Sequence, residues 1–375
     1  MHYFLIAGEP SGDLHGADLI TQLRKADPAA IFTFIGGDRM AQAAGCPPLV
    51  HNRELAVMGF AEVIRNIFTL GAHLSRAKEA VVAAAPDAFI AIDYPSFNID
   101  VAAAAHDAGI PVYWYISPKV WAWKKWRLRD LRRYCRHVFS ILPFEPEFFR
   151  RNNAECIYVG NPSVAEIDRL LRDAPADSEF RSRYGLDSRP VVALMPGSRK
   201  GEIADNLPVM LRALSCFPDW QPVIIGSHNI DAAVYDACGR GAVPLLRPAY
   251  ATEVLAHSVA AVVTSGTATL ETALCRVPQV VVYRSNGSRL AYKIMEFLLD
   301  VRYVSLPNLI SSAPVVPELL LHNCTVESVA HTLVPLLKDT AARRAQLEGY
   351  ENIRTILGTE DPAATAAAII TRELR

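Results

Sequence analysis

Long apolar runs are missing from this chain of 375 residues. No stretch approaches the ~20 consecutive apolar residues that span a bilayer, which excludes a helical membrane-spanning protein. No basic segment precedes the first apolar run, so no secretory signal is expected. Charge of one sign is missing too: 38 Lys and Arg stand against 39 Asp and Glu. That balance gives no global field selecting for nucleic acid. Cysteine is sparse, with seven residues and no C-x-x-C pair. This excludes a disulfide frame and points to reduced thiols in a cytoplasmic protein. No His/Cys/Asp cluster has metal-ligand spacing. There is no G-x-x-x-x-G-K-[ST] for P-loop hydrolysis, no G-x-G-x-x-G dinucleotide fingerprint and no G-x-S-x-G elbow.

What is present is alternation. Short apolar runs near 3–7, 31–35, 88–92, 111–116, 137–141 and 156–159 read as strands, with helical spacing over 14–25, 60–82, 98–108, 125–134, 145–152 and 164–173. After the charged stretch DAPADSEFRSRYGLDSRP the pattern restarts, with strands near 191–195, 222–226, 243–246, 260–264 and 279–283. Strands alternating with helices predict parallel sheets covered on both faces. The expected division is a first domain over 1–187, a second over 188–350, and a C-terminal helix over 351–375 packing across the two. Ligands of open α/β sheets bind beyond the carboxyl ends of strands, so the strand-to-helix turns are where chemistry is expected.

Four such turns carry reactive residue types. GEPSGD (8–13) follows the first strand. Gly8 and Gly12 permit close approach to the backbone, and Ser11 or Asp13 can cap the helix that follows. AFIAIDYPSFN places Asp93 at a strand end, where burial raises a carboxylate's basicity, and Asn98 can cap the next helix or touch a ligand. In VVALMPGSR, Ser198 and Arg199 suit an anionic oxygen. In TSGTATLETAL, the turn Ser265, Gly266, Thr267 opens a helix whose free N–H groups admit a phosphate, and Glu271 one turn in suits a ribose diol. Phosphate turn and carboxylate together suggest a nucleoside diphosphate.

Two stretches suit a surface. Between Lys119 and Arg136 lie three Trp and eight Lys or Arg against one acid, Asp130. Interleaved basic and aromatic residues fit nucleic acid, a membrane headgroup surface or a solvated helix face. In VMGFAEVIRNIFTLGAHL, Phe60, Ile64, Ile67 and Phe68 fall near helical spacing. That face is either core or an apolar surface for acyl chains, each buried methylene contributing ~0.8 kcal/mol.

GEPSGD, VMGFAEVI, SPKVWAWKKWR, LMPGSRKGEI, TSGTATLETAL and YVSLPNLI with PELL, spread from residue 8 to 320, together resemble the lipid-A-disaccharide synthase family. The resemblance implies an α/β protein of the GT-B architecture, two Rossmann-like parallel-sheet domains facing a central cleft, with the nucleotide held mainly by the C-terminal one. It implies an inverting glycosyltransferase that needs no metal or other cofactor. The reaction implied joins UDP-2,3-diacylglucosamine to the 6-hydroxyl of 2,3-diacylglucosamine 1-phosphate (lipid X) in a β-1,6 bond. The partners implied are these two lipids and an anionic membrane surface, not nucleic acid. The place implied is cytoplasmic, peripheral on the inner face of the inner membrane. On this reading Asp93, Glu9 and Asp13 compete for the role of base, and Ser11, Gly12 and Asn98 serve the acceptor. Ser198, Arg199, Ser265, Gly266, Thr267, Glu271, Asn308 and Glu318 serve the donor. Phe60, Ile64, Ile67, Phe68, Trp121, Trp123, Lys124 and Arg127 meet acyl chains or the membrane. The alternatives are a UDP-N-acetylglucosamine 2-epimerase, another UDP-sugar transferase, or a silent lipid- or nucleotide-binding homologue. Two residues differ from the family's usual ones: Asn161, where it has His, and Leu321, where it has Gln.

Overall fold

Each apolar run of the first half becomes a parallel strand. The computed structural model of the chain describes residues 1–56, 67–122, 124–228, 230–284 and 302–375. Among these, β1 (His2–Ala7), β2 (Ile31–Gly36), β3 (Val50–His51), β4 (Ala88–Ile92), β5 (Val112–Tyr115), β6 (His137–Ser140) and β7 (Ile157–Tyr158) form one sheet in the order β3-β2-β1-β4-β5-β6-β7. A second sheet holds β8 (Val191–Met195), β9 (Gln221–Ile225), β10 (Leu245–Leu246), β11 (Ser258–Thr264), β12 (Gln279–Tyr283) and β13 (Glu318–Leu320), ordered β10-β9-β8-β11-β12-β13. Strands β3 and β13 have no counterpart in the sequence reading.

Both faces of the first sheet are covered, as its near-continuous apolar strands require. On one face Leu5, Ile90 and Ile92 meet Leu19, Ile20 and Leu23 of the Pro10–Ala26 helix and Ile370 of the Pro362–Leu374 helix. On the other, Phe4, Ile6, Phe89 and Ala91 meet Val81, Val101 and Ala105 of the Ile67–Ala84 and Pro95–Asp107 helices. The alternation of neighbours along each strand is the period of two expressed in tertiary contacts. In the second sheet Val192, Leu194, Val262 and Val280 pack against Leu207, Met210 and Val329.

The chain divides into two compact units, Met1–Pro162 with Thr359–Arg375, and Ser163–Gly358. This boundary lies earlier than the one near 187 expected above. The Pro162–Arg172 and Asp177–Tyr184 helices side with the second unit. There Arg354 Nη1 donates to Asp168 Oδ2 at 3.0 Å, and the Phe180 ring stacks on His257 at 4.4 Å. The tail is two helices rather than one. Ala341–Leu357 belongs to the second unit, and Pro362–Leu374 returns to the first. In the first unit Glu373 receives Tyr113 Oη at 3.1 Å and pairs with Arg136 at 3.0 Å.

The opening loop is shorter than expected. The helix starts at Pro10 rather than near 14, with Glu9 as N-cap, so neither Ser11 nor Asp13 caps it. Proline at the first helical position loses nothing, because that N–H has no helical partner anyway. Asp13 is instead 6% exposed and turned inward. Its Oδ1 accepts from Gly37 N at 2.7 Å and Met40 N at 3.1 Å, and its Oδ2 from Arg39 N at 3.1 Å. It satisfies the start of the Asp38–Ala44 helix from outside that helix, which makes Asp13 a structural anchor. A Cβ on Gly37 would sit 2.7 Å from Asp13 Oδ2, which is why glycine stands there. Asp13→Ala should lower stability by ~2–3 kcal/mol by stranding these donors, read as an earlier urea midpoint. An Asp13→Ala protein as stable as the parent but inactive would return the carboxylate to the chemistry.

Candidate active site

In the first sheet the strand order reverses between β1 and β4, so their carboxyl ends flank the switch point where such sheets bind ligands. Ala7 and Ile92 lie side by side in register there, and the next polar residues are Glu9 and Asp93. Asp93 and Tyr94 both take left-handed backbone, at φ 42° and 49°. This kink ends β4 and starts the Pro95–Asp107 helix. The Tyr94 ring lies on Gly8, where a Cβ would come within 2.3 Å of it. Asn98 is fully buried, with Nδ2 donating to Asp93 O at 2.8 Å and to Ile6 O and Ile92 O at 3.3 Å each. Its Nδ2 holds the two strand ends and the Asp93 backbone together, while its buried Oδ1 has no partner. Burial pushes the Asp93 carboxyl up from 3.8 to about 6, the Glu9 charge adds to the rise, and Lys119 and Arg127 oppose it. Glu9 and Ser11 are exposed beside it, while Gly12 is buried against Ala7.

The basic–aromatic segment does not present one uniform face. Trp121 is half-buried, its Nε1 donating to Glu145 Oε1 at 2.8 Å and its ring meeting Phe144 edge-on. Arg127 is 5% exposed, with Nη2 donating to Ser96 Oγ at 3.0 Å. These two expected membrane contacts therefore point inward, because each finds a polar partner in the protein. Lys124 is half-buried, with φ 57°. Outward stand Lys125, Arg129, Arg132, Arg133 and Trp126, the last 60% exposed. Trp123, Phe60 and Ile64 lie outside the described residues, and of Ile67 and Phe68 only the helical backbone is described. Glu145 is a residue the sequence reading missed. It opens a helix and reads as an ordinary first-turn acid, yet it is 1% exposed and accepts from both Trp121 and Ser140 Oγ. Burial pushes its carboxyl up to about 7 against those hydrogen bonds and the Lys119 charge. Asn161 is buried, with Nδ2 donating to Ile141 O at 2.8 Å, and Leu321 takes a left-handed turn at φ 54°.

The second sheet repeats the design. Its order reverses between β8 and β11, and the turns after these strands are Gly197–Arg199 and Ser265–Thr267. Glu202 fixes the first turn: its Oε2 accepts from Ser198 N at 2.9 Å and Arg199 N at 3.3 Å, and its Oε1 meets Arg199 Nη1 at 2.9 Å. The Arg199 side chain is still 82% exposed. Gly197, at φ 120°, is needed because a Cβ would stand 2.7 Å from that of Glu202. Gly266 begins the Thr267–Leu274 helix without any side-chain cap, and space around it is open. Of the first-turn N–H groups there, Thr269 N donates to Gly266 O at 3.2 Å, and those of Thr267 and Ala268 precede any helical acceptor, as an anion site requires. Ser265 Oγ donates to Val304 O at 2.9 Å. Glu271 is half-buried, its carboxyl raised by burial and by Glu166.

Asn308 and Glu318 are bound to each other and to the backbone around them. Glu318 Oε1 accepts from Ser305 N at 2.9 Å, Ser305 Oγ at 2.6 Å and Asn308 Nδ2 at 2.9 Å, and Oε2 from Val304 N at 3.1 Å. Asn308, buried, also exchanges two 2.8 Å bonds with the Val316 backbone. Both side chains are spent on bracing residues 304–308, the segment against which Ser265 is tied. A cavity of about 620 Å³, lined among others by Ser227, His228, Tyr235 and Arg247, opens beyond β9 and β10. Among the described residues no group of three His, Cys, Asp or Glu could hold a metal ion, and no helix is long and apolar enough to cross a membrane.

Two Rossmann-like parallel sheets, each with a ligand-admitting turn at its switch point, define the GT-B class of sugar-nucleotide enzymes. Solved structures agree on the fold. A UDP-GlcNAc 2-epimerase from Neisseria meningitidis bound to UDP-GlcNAc matches 100% of this chain and 99% of its own, with TM-score 0.68 at 14% identity. The calicheamicin glycosyltransferase CalG4 matches 100% and 98%, with TM-score 0.59 at 16% identity. A family model for lipid-A-disaccharide synthetase matches residues 3–369, so the chain belongs to that family. The lipid-A-disaccharide synthase of Myxococcus xanthus is 38% identical over 99% of this chain and 96% of its own length. That of Rhodospirillum centenum is 36% identical over 98% and 93%. The epimerases share the fold at far lower identity, so the epimerase alternative is not favoured.

The raised Asp93 has a consequence for stability whose sign follows from linkage. Its pKa when folded, about 6, lies above the ordinary 3.8. Between these values the folded state holds the proton more tightly, so this group's contribution to stability is full below the lower value and lost as pH rises through about 6. Asp93→Asn should therefore be more stable than the parent at pH 7, with the difference vanishing near pH 4. Denaturant melts at the two pH values measure it, and equal stability at both would contradict burial of the charge.

Proposed function

We propose that this chain, a lipid-A-disaccharide-forming glycosyltransferase by family, transfers 2,3-diacylglucosamine from UDP to the 6-hydroxyl of 2,3-diacylglucosamine 1-phosphate with Asp93 as the general base. The observation that carries the assignment is Asp93 itself. It stands at the β1/β4 switch point, on a strand end braced by Asn98, with its carboxyl raised to about 6. Such a carboxylate is ionised at neutral pH and more basic than an ordinary one. It takes the 6-hydroxyl proton as that oxygen attacks the anomeric carbon and the bond to the diphosphate breaks, inverting the centre. Glu9 and Ser11, exposed on the neighbouring turn, orient the acceptor sugar.

The second unit serves the donor. The open N-terminus of the Thr267–Leu274 helix and the exposed Arg199 receive the diphosphate, and Glu271 receives the ribose diol. The cavity beside Ser227 and Arg247 suits the uracil. Fixed N–H groups and a guanidinium meet the charge on the leaving diphosphate, so no divalent ion is required. Outside the sites, Lys125, Arg129, Arg132, Arg133 and Trp126 form a basic face with an aromatic anchor, suited to the anionic inner face of the inner membrane.

Four measurements test this reading. Arg199→Ala and Glu271→Ala should each weaken UDP binding ~10-fold by calorimetry; parent-like affinity in both would remove the donor assignment. Asp93→Asn should keep UDP affinity and lose ~10²–10⁴ in turnover, assayed with EDTA present. In the parent, the rate should rise with pH through about 6, and Glu145→Gln should leave that limb in place. A limb that moves with Glu145→Gln and persists in the residual activity of Asp93→Asn would reassign the titrating group. The protein should pellet with anionic vesicles and be released by salt, since headgroup attraction is screened within ~10 Å at 0.1 M. Reversing the charge of Arg132 and Arg133 together should abolish pelleting, and unchanged pelleting would move the contact elsewhere.

A further inference from the structure

Arg127 is the one buried basic side chain among the described residues. Its Nη2 donates to Ser96 Oγ at 3.0 Å, its Nε has no partner, and it forms no ion pair with any described carboxylate. Burial disfavours the charge, and Asp93, beyond ion-pair distance, is the carboxylate that offsets it. The surroundings of Arg127 make the cost larger. Ser96 is the second residue of the Pro95–Asp107 helix, whose N-cap Tyr94 supplies no side-chain cap and whose first position is proline. The guanidinium thus faces the positive end of a helix, where cations are disfavoured and anions bind. Ser96 is exposed, so the guanidinium lies one hydroxyl below the surface. Lys119, also exposed, adds its charge near Asp93.

We propose that Arg127, Ser96 and the N-terminus of the Pro95–Asp107 helix form a subsite for a phosphate monoester, occupied by the anomeric phosphate of the acceptor. This rests on the acceptor read above. Asp93 stands three residues before Ser96, so their Cα atoms are at most ~11 Å apart. A single pyranose can then present its 6-hydroxyl to Asp93 while the phosphate on its anomeric carbon lies at Ser96. Phosphate accepts from the guanidinium, whose Nε has no partner, and from the Ser96 N–H, since Phe97 N and Asn98 N already donate to Tyr94 O. The same contacts align the ring, so the subsite selects phosphorylated over unphosphorylated acceptors.

The test compares two acceptor lipids, 2,3-diacylglucosamine with and without its 1-phosphate, and measures KM for each alongside UDP affinity. The parent should prefer the phosphorylated lipid. In Arg127→Met its KM should rise ~10- to 100-fold, while the KM for the unphosphorylated lipid and the UDP affinity stay within about twofold. Ser96→Ala, at an exposed position, should erode the same preference by a few-fold and decides the matter if Arg127→Met does not fold. Equal losses on both lipids would overturn the subsite and make Arg127 a support for Asp93. A loss confined to UDP affinity would assign the anion to the donor and overturn it as well. A parent that uses both lipids equally overturns the subsite alone; a parent that uses neither overturns the reading of the reaction beneath it.

Discussion

The side-chain amide of Asn98 is the contact on which the first half-site depends. It reaches the backbone carbonyls of Ile6, Ile92 and Asp93. Two neighbouring strand ends and the catalytic candidate are thereby fixed to one buried group. The kink it stabilises is expensive, because two consecutive non-glycine residues in left-handed backbone cost about 1–2 kcal/mol each. The amide bonds offset part of that cost, and the Tyr94 ring packed on Gly8 offsets more. The result is a carboxylate on a rigid strand end rather than on a free loop, as catalysis requires.

A second regularity sorts the acidic side chains. Asp13, Glu202 and Glu318 each accept two or more backbone N–H groups. These carboxylates substitute for missing helix or turn acceptors, and their lone pairs are not available to a ligand. Asp93, Glu9 and Glu271 have no such set of donors. Burial raises the carboxyls of Asp93 and Glu271. The structural acids hold the turns still, and the others carry no such load.

Basic side chains divide the same way. Arg354 pairs with Asp168, and Arg136 with Glu373, each tying a C-terminal helix to its own unit. Arg127 has no such pair and lies buried beside a helix start, whereas Lys125, Arg132 and Arg133 are solvated. One short stretch of sequence therefore serves two purposes. Its outward face suits a charged surface, and its inward face completes a site.

Much of this was legible in the residues. Apolar runs of five or six bounded by glycine and proline could only be buried parallel strands, and the turns after β1, β4, β8 and β11 stood out by their glycines and hydroxyls. Asp93 was visible as the carboxylate that ends an apolar run. What the residues could not show was which partner each polar group had already met. Asp13 finds the start of a helix 24 residues away, and Glu318 finds a segment 13 residues back. Arg127 finds Ser96 across 31 residues, and Trp121 finds Glu145 across 24. Local sequence sets backbone preference and hydrophobic period, which is why it determined the two sheets and the places where ligands enter. Hydrogen-bond partners distant in sequence are chosen only when the sheets have assembled, so the tertiary structure alone decided which charges are spent on the fold and which are not.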